Sequence, residues 1–264
     1  MRPSLILALL LPACSPAAAP GADDTGSSDA QTGNSTTLAT GSGELDTTTG
    51  ASEPTTSTGA DTHDTDVLPV EFQCQPGVSP SDPYIDCVES FTPEGAVFGQ
   101  DRLPEVVYGP PMPGPANLGS LDVLSLGCGG EITLYFDAPA IVDGPGPDFI
   151  VFENPIPVGT GTFAEPARVL VSDDGREWHA FPCDPAGDPS LTGCAGVALV
   201  QPTDDPTDPA LAGGDAFDLA QLGLGAVRYV RLLDVSVAHF GARTWCGGGG
   251  GGFDLDAIAV VHGS

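Results

Sequence analysis

From Val67 onward the chain breaks into short apolar or alternating runs separated by Gly, Pro and Asp. Short runs rich in β-branched and aromatic residues, bounded by turn formers, read as strands of an all-β domain. The pattern predicts strands near 105–108, 121–126, 131–136, 148–152, 168–171, 178–181, 197–200, 227–234 and 254–261. Gly127-Cys128-Gly129-Gly130 reads as a hairpin turn joining 121–126 to 131–136, because glycine accepts positive φ. No stretch sustains a 3.6-residue period with caps; 219–224 is expected to form one helical turn at most. There is no internal repeat.

The first quarter has another texture. Residues 15–66 are mostly Ser, Thr, Gly, Ala and Asp, with no Lys or Arg and almost no large apolar side chain. Such a segment buries too little apolar surface to offset its ordering entropy, so 14–66 is expected to be a disordered tether, followed by a domain over 67–264. As a coil of about 50 residues it spans roughly 40 Å. Before it, Arg2 and the apolar run from Leu5 to Leu11 read as an export signal over 1–13, too short to span a bilayer. Leu11-Pro12-Ala13-Cys14 resembles the lipobox of bacterial lipoproteins and makes Cys14 the expected lipid acceptor, with an ordinary secretory signal as the alternative. The expected location is the bacterial cell envelope, at the outer membrane or cell surface, with the lipid as sole membrane contact.

Cysteine count agrees with export. Setting Cys14 aside leaves six, an even number that suggests three disulfides. Short spacing favours Cys74–Cys87 and Cys183–Cys194, leaving Cys128–Cys246, although the sequence alone leaves the other pairings open. No CxxC pair or ligand-spaced His supports zinc.

Charge narrows the partners. With 36 acidic residues against 7 Lys plus Arg, the net charge is -29, which repels nucleic-acid phosphates and anionic headgroups. The same carboxylates suit a hard cation such as calcium. Asp254 and Asp256 alternate on one strand and are expected to share the face that Ile258 and Val260 continue. Like charges beside apolar surface need a cation or hydrogen-bond donors. Asp215 and Asp218 lie by a Gly-rich turn, and Asp148 and Glu153 bracket an apolar strand. These six are the candidate calcium ligands; the alternative is that all are solvated or cap turns.

Two segments carry a family resemblance. Val169-Leu170-Val171-Ser172-Asp173-Asp174-Gly175-Arg176-Glu177-Trp178 is a strand, a tight turn and a strand opening on Trp. Val227-Arg228-Tyr229-Val230-Arg231-Leu232 is followed by Phe253-Asp254-Leu255-Asp256-Ala257-Ile258-Ala259-Val260. Together they resemble the discoidin-like domains, also called coagulation-factor type C or galactose-binding-like. Gly144-Pro145-Gly146-Pro147-Asp148-Phe149-Ile150-Val151-Phe152-Glu153-Asn154 and Gly213-Gly214-Asp215-Ala216-Phe217-Asp218-Leu219 resemble a group of bacterial cell-surface proteins. The resemblance implies an antiparallel jelly-roll β-sandwich, ligands bound by loops at one end, a structural calcium and a core role for Trp178.

For a ligand, 237–252 is the expected loop, since His239, Phe240, Arg243 and Trp245 offer stacking and hydrogen-bonding groups suited to sugars. Trp245 as a plug of the sandwich end is the competing reading. Arg228 and Arg231 are expected to be structural ion-pair partners. No nucleophile elbow, zincin or phosphate-loop motif is present, and the four His are scattered, so no enzyme is expected. The expectation is a calcium-stabilised, carbohydrate-binding surface module. The alternatives are a structural or adhesion protein that contacts another envelope or extracellular protein, and, more distantly, a glycoside hydrolase.

Overall fold

The computed structural model describes residues 70–264 apart from 73, 78–80, 113, 115–119, 160, 188–190 and 244–249. The signal, Cys14, the tether, Trp245 and Cys246 therefore lie outside the described residues.

The chain is built from short antiparallel strands with little helix. They are β1 (Val70–Glu71), β2 (Cys87–Thr92), β3 (Leu124–Ser125), β4 (Glu131–Tyr135) and β5 (Ile141–Val142). Next come β6 (Phe149–Phe152), β7 (Ile156–Val158), β8 (Gly161–Phe163), β9 (Ala167–Ser172) and β10 (His179–Ala180). The last are β11 (Asp215–Phe217), β12 (Ala226–Val227), β13 (Tyr229–Asp234), β14 (Asp254–Leu255) and β15 (Ala257–Val260). A six-stranded sheet runs β1-β2-β4-β13-β9-β10, and a three-stranded sheet runs β11-β6-β15. Smaller pairs are β12-β5, β14-β3 and β7-β8.

The arrangement is sandwich-like, because both sheets contribute to one core. The larger sheet supplies Val88, Ile132, Leu134, Val169, Val171, Val230 and Leu232; the smaller supplies Phe149, Val151, Ile258 and Val260. In the larger sheet, β9 and β13 alternate buried and half-buried positions over most of their length, as one-sided burial requires. By contrast β6 is buried at all four residues. Its Phe149 and Val151 enter the main core, while Ile150 and Phe152 join a second cluster with Ala212, Ala257 and Ala259.

Several expectations need correction. Residues 105–107 form a 3-10 turn rather than a strand, and 197–200 contributes only an isolated bridge, Val200 to Gly213. Gly127–Gly130 is not a hairpin turn: β3 pairs with β14, and β4 with β2 and β13. The tight turn there is real, with Gly130 N–H donating to Gly127 C=O, but it moves the chain between partners. Trp178 is half-buried on the outer face of the larger sheet, where the Arg231 guanidinium lies 4.0 Å over its ring. The helical turn expected within 219–224 is found at Leu219–Gln221, and a short helix not expected from the sequence forms at Ser236–Phe240; the ion pairs Arg228–Asp137 and Arg231–Glu131 are formed. Disulfides join Cys74–Cys87 and Cys183–Cys194. Cys128 is also disulfide-bonded, with its partner outside the described residues. No described helix is long and apolar enough to cross a membrane.

Candidate metal centre

The six candidate ligands do not form one group. They separate into three places, set by the ends of β6 and by a change of sheet at Asp256.

At the start of β6, Asp148 is fully buried yet well supplied with donors. It accepts from Gly144 N–H at 2.7 Å, Leu219 N–H at 2.7 Å and the His262 ring at 3.0 Å. Asp218 caps the turn Leu219–Gln221 through Ala220 N–H, and Asp143 completes a trio whose ligand atoms lie within 4.8 Å of one another.

At the other end, Glu153 is 2% exposed and meets the opposite situation. It receives the backbone N–H of Asp254, while burial and the charges of Asp254, Glu165 and Asp215 push its pKa well above the usual carboxylate range. Its Oε2 is sealed from solvent and has no hydrogen-bond partner among the described residues. Glu165 accepts one N–H, from Gly252 at 2.7 Å, and burial raises it to about 8. Asp254 is bonded by the Ser125 hydroxyl, and burial raises it to about 6. Every charged group that acts on these three is another carboxylate.

Two more carboxylates surround them but have their own donors. Asp215 accepts from the N–H groups of Gly196 at 2.8 Å, Val197 at 2.9 Å and Ala198 at 3.3 Å. Asp234 accepts from Gly129, Phe253 and Ser236 N–H and from the Ser236 hydroxyl at 2.6 Å. Both hold loop backbone in place. Backbone geometry at this end demands glycine: Gly252 has φ 85°, and a Cβ there would lie 2.5 Å from the Gly127 carbonyl carbon. Gly196 has φ 89°, and its Cβ would lie 2.7 Å from the Glu165 carbonyl oxygen.

Glu153, Glu165 and Asp254 thus share three donors among six carboxylate oxygens, in a place with little water. Ionised together they are costly without a cation, and their oxygens suit a hard ion such as calcium, but among the described residues the carboxylates whose ligand atoms lie within 4.8 Å of one another are Asp143, Asp148 and Asp218, not these three. Glu165 and Asp234 were not anticipated. Asp234 did carry a signal, since it occupies the buried phase of β13 after Val230 and Leu232. Glu165, in a Pro-flanked loop, carried none.

Asp256 belongs to a third place. The expected common face with Asp254, Ile258 and Val260 is not formed. Phe253 and Leu255 enter the main core, and so do Ile258 and Val260, so the inward phase slips by one residue as pairing passes from β3 to β6. Asp256 instead holds Met112 N–H with both oxygens, at 3.1 and 3.0 Å, and burial raises it to about 7.

The loop expected to bind a ligand contains the short helix Ser236–Phe240. Phe240 stacks on Phe163 with ring centroids 5.4 Å apart, His239 Nδ1 lies 3.0 Å from the Pro185 carbonyl oxygen, and Arg243 pairs with Glu94 at 2.9 Å. Trp245 lies outside the described residues.

No protein-family model matches the chain, and neither does any curated protein.

Proposed function

We propose that the protein is a non-catalytic binding module, carried on a lipid anchor at Cys14, with one end of its sandwich closed by calcium that draws Glu153, Glu165 and Asp254 together. The shortage of donors at these three carboxylates, Glu153 and Glu165 buried and Asp254 half-buried, carries the reading. Asp215 and Asp234 act around them as backbone clamps, so calcium binding orders the segments they hold. The finer fold in this reading is a discoidin-like jelly roll. It is supported by the β9–β10 hairpin and by β13, β14 and β15 following in the expected order. The Cys74–Cys87 and Cys183–Cys194 bridges suit an oxidising compartment. Carbohydrate remains the ligand class for loop 237–252.

Hydrolysis of a glycoside is disfavoured, because carboxylates that are 2% and 8% exposed do not reach a polysaccharide chain. Calorimetric titration of the chelator-treated protein with calcium tests the cation. One tight site is expected, lost in Glu165→Gln and in Asp254→Asn. Absence of calcium binding at neutral pH contradicts it.

A further inference from the structure

The hairpin of β7 and β8 stands on the carboxylate cluster. Asn154 and Pro155 join β7 to Glu153 at one foot, and Ala164 joins β8 to Glu165 at the other. Between these feet the chain carries no charge. Among the described strands β7 and β8 pair only with each other, and β7 is exposed throughout, Val158 at 60%. A hairpin this short is marginal alone, so its feet and its side contacts decide how well it is ordered. The segment that opens with the helix Ser236–Phe240 has its feet on the same cluster. Asp234 accepts from the Ser236 N–H and hydroxyl where the segment starts and from Phe253 N–H where it returns, and Glu165 accepts from Gly252 N–H. At the common base Glu153 Oε2 is sealed from solvent and has no hydrogen-bond partner among the described residues. Hairpin and helix also meet directly: the Phe163 and Phe240 rings stack with centroids 5.4 Å apart and planes 17° apart.

We propose that calcium at the cluster fixes the hairpin and the helix as one unit, with the Phe163–Phe240 stack carrying the coupling between them. The inference rests on the calcium reading above and deepens it, because it makes the segment assigned to ligand binding responsive to the cation. Like charge on Glu153 and Glu165 opposes closure of the base of the hairpin. A cation between them reverses the sign of that interaction and draws the feet together. With its base closed, the hairpin holds Phe163 in one position, and Phe240 gains a fixed wall to pack on. The segment has two further holds, His239 Nδ1 at 3.0 Å from the Pro185 carbonyl oxygen and Arg243 on Glu94 at 2.9 Å. Neither of these involves a carboxylate of the cluster. Calcium therefore reaches the helix through the stack, and in smaller part through the backbone groups held by Asp234 and Glu165.

The test follows backbone amide hydrogen exchange of the full chain in chelator and in saturating calcium, while calorimetry records calcium binding by each protein. The reporters are the hairpin amides between 156 and 163 and the helix amides of Ala238, His239 and Gly241, which donate to the Val235 and Val237 carbonyls. In the wild-type chain calcium is expected to slow both sets by about tenfold or more. Phe163→Ala and Phe240→Ala each break the stack from one side. In both variants calcium binding and the hairpin response are expected to stay, while the helix response falls below about threefold. Equal slowing of the helix in all three proteins is a general stabilisation by calcium, and it overturns the inference while the calcium reading stands. Calcium binding with no slowing of the helix in the wild-type chain does the same. Absence of calcium binding overturns the calcium reading and this inference together.

Discussion

The two ends of β6 pose the same physical problem and solve it differently. Asp148 and Glu153 flank four buried apolar residues, and each places a carboxylate out of reach of water. Asp148 is met by two backbone N–H groups and a histidine ring, a self-sufficient arrangement. Glu153 is met by one N–H and by other carboxylates. Burial with donors is structure; burial among like charges calls for something the chain does not itself supply. That contrast also separates the trio Asp143, Asp148 and Asp218 from the cluster at the far end. Its ligand atoms are the ones that lie within 4.8 Å of one another, but its central member already has its partners, so the proposed calcium site is the cluster that lacks them.

Substitutions at the two ends should diverge. The largest effect is expected from Asp148→Ala, which strands the Gly144 and Leu219 N–H groups and the His262 ring. A loss of about 3 kcal/mol or more is expected in denaturant unfolding, with or without calcium. At the other end calcium itself comes next. At about 100 times its dissociation constant it should add about 2.7 kcal/mol, raising the midpoint by several degrees. Glu153→Gln should behave unlike any change at Asp148. It removes a group whose ionisation burial opposes, so the calcium-free protein should gain about 1 kcal/mol at alkaline pH while losing its response to calcium. The smallest effect belongs to His262→Ala, which leaves Asp148 with two donors and should cost about 1 kcal/mol. A calcium-dependent loss at Asp148, or a calcium-independent one at Glu153, would collapse the distinction between the ends.

Local pattern was a good guide wherever burial was one-sided. The alternation through Ala167–Ser172 and Tyr229–Asp234 and the unbroken Phe149–Phe152 run led to three of the main strands. The short cysteine spacings likewise led to both described bridges. Pairing was harder to read. A glycine turn between apolar runs looks like a hairpin, and nothing local records that β3 pairs with β14, some 130 residues away. The same non-local pairing defeated the face assigned to Asp254 and Asp256, because the phase slip at Asp256 follows from the change of partner. Two of the three carboxylates of the centre, Glu153 and Asp254, were visible, because they flank apolar strands. Asp234 was not anticipated although it carried a signal, as a charge on the apolar phase of its strand, while Glu165 enters only through folding.

Thermal unfolding across pH about 5 to 8, in chelator and in excess calcium, tests the calcium centre most directly. Glu165 is raised from 4.5 to about 8 and Asp254 from 3.8 to about 6. The folded chain therefore keeps protons that the unfolded chain has already released. Stability from these groups is full below about pH 4 and is lost as pH rises through 6 to 8. In chelator the midpoint should fall over that range. Calcium should restore it, with a larger gain at the alkaline end, where the carboxylates must ionise. A midpoint in chelator that does not fall, or a calcium gain absent or equal at both ends of the range, would contradict a calcium site at Glu153, Glu165 and Asp254.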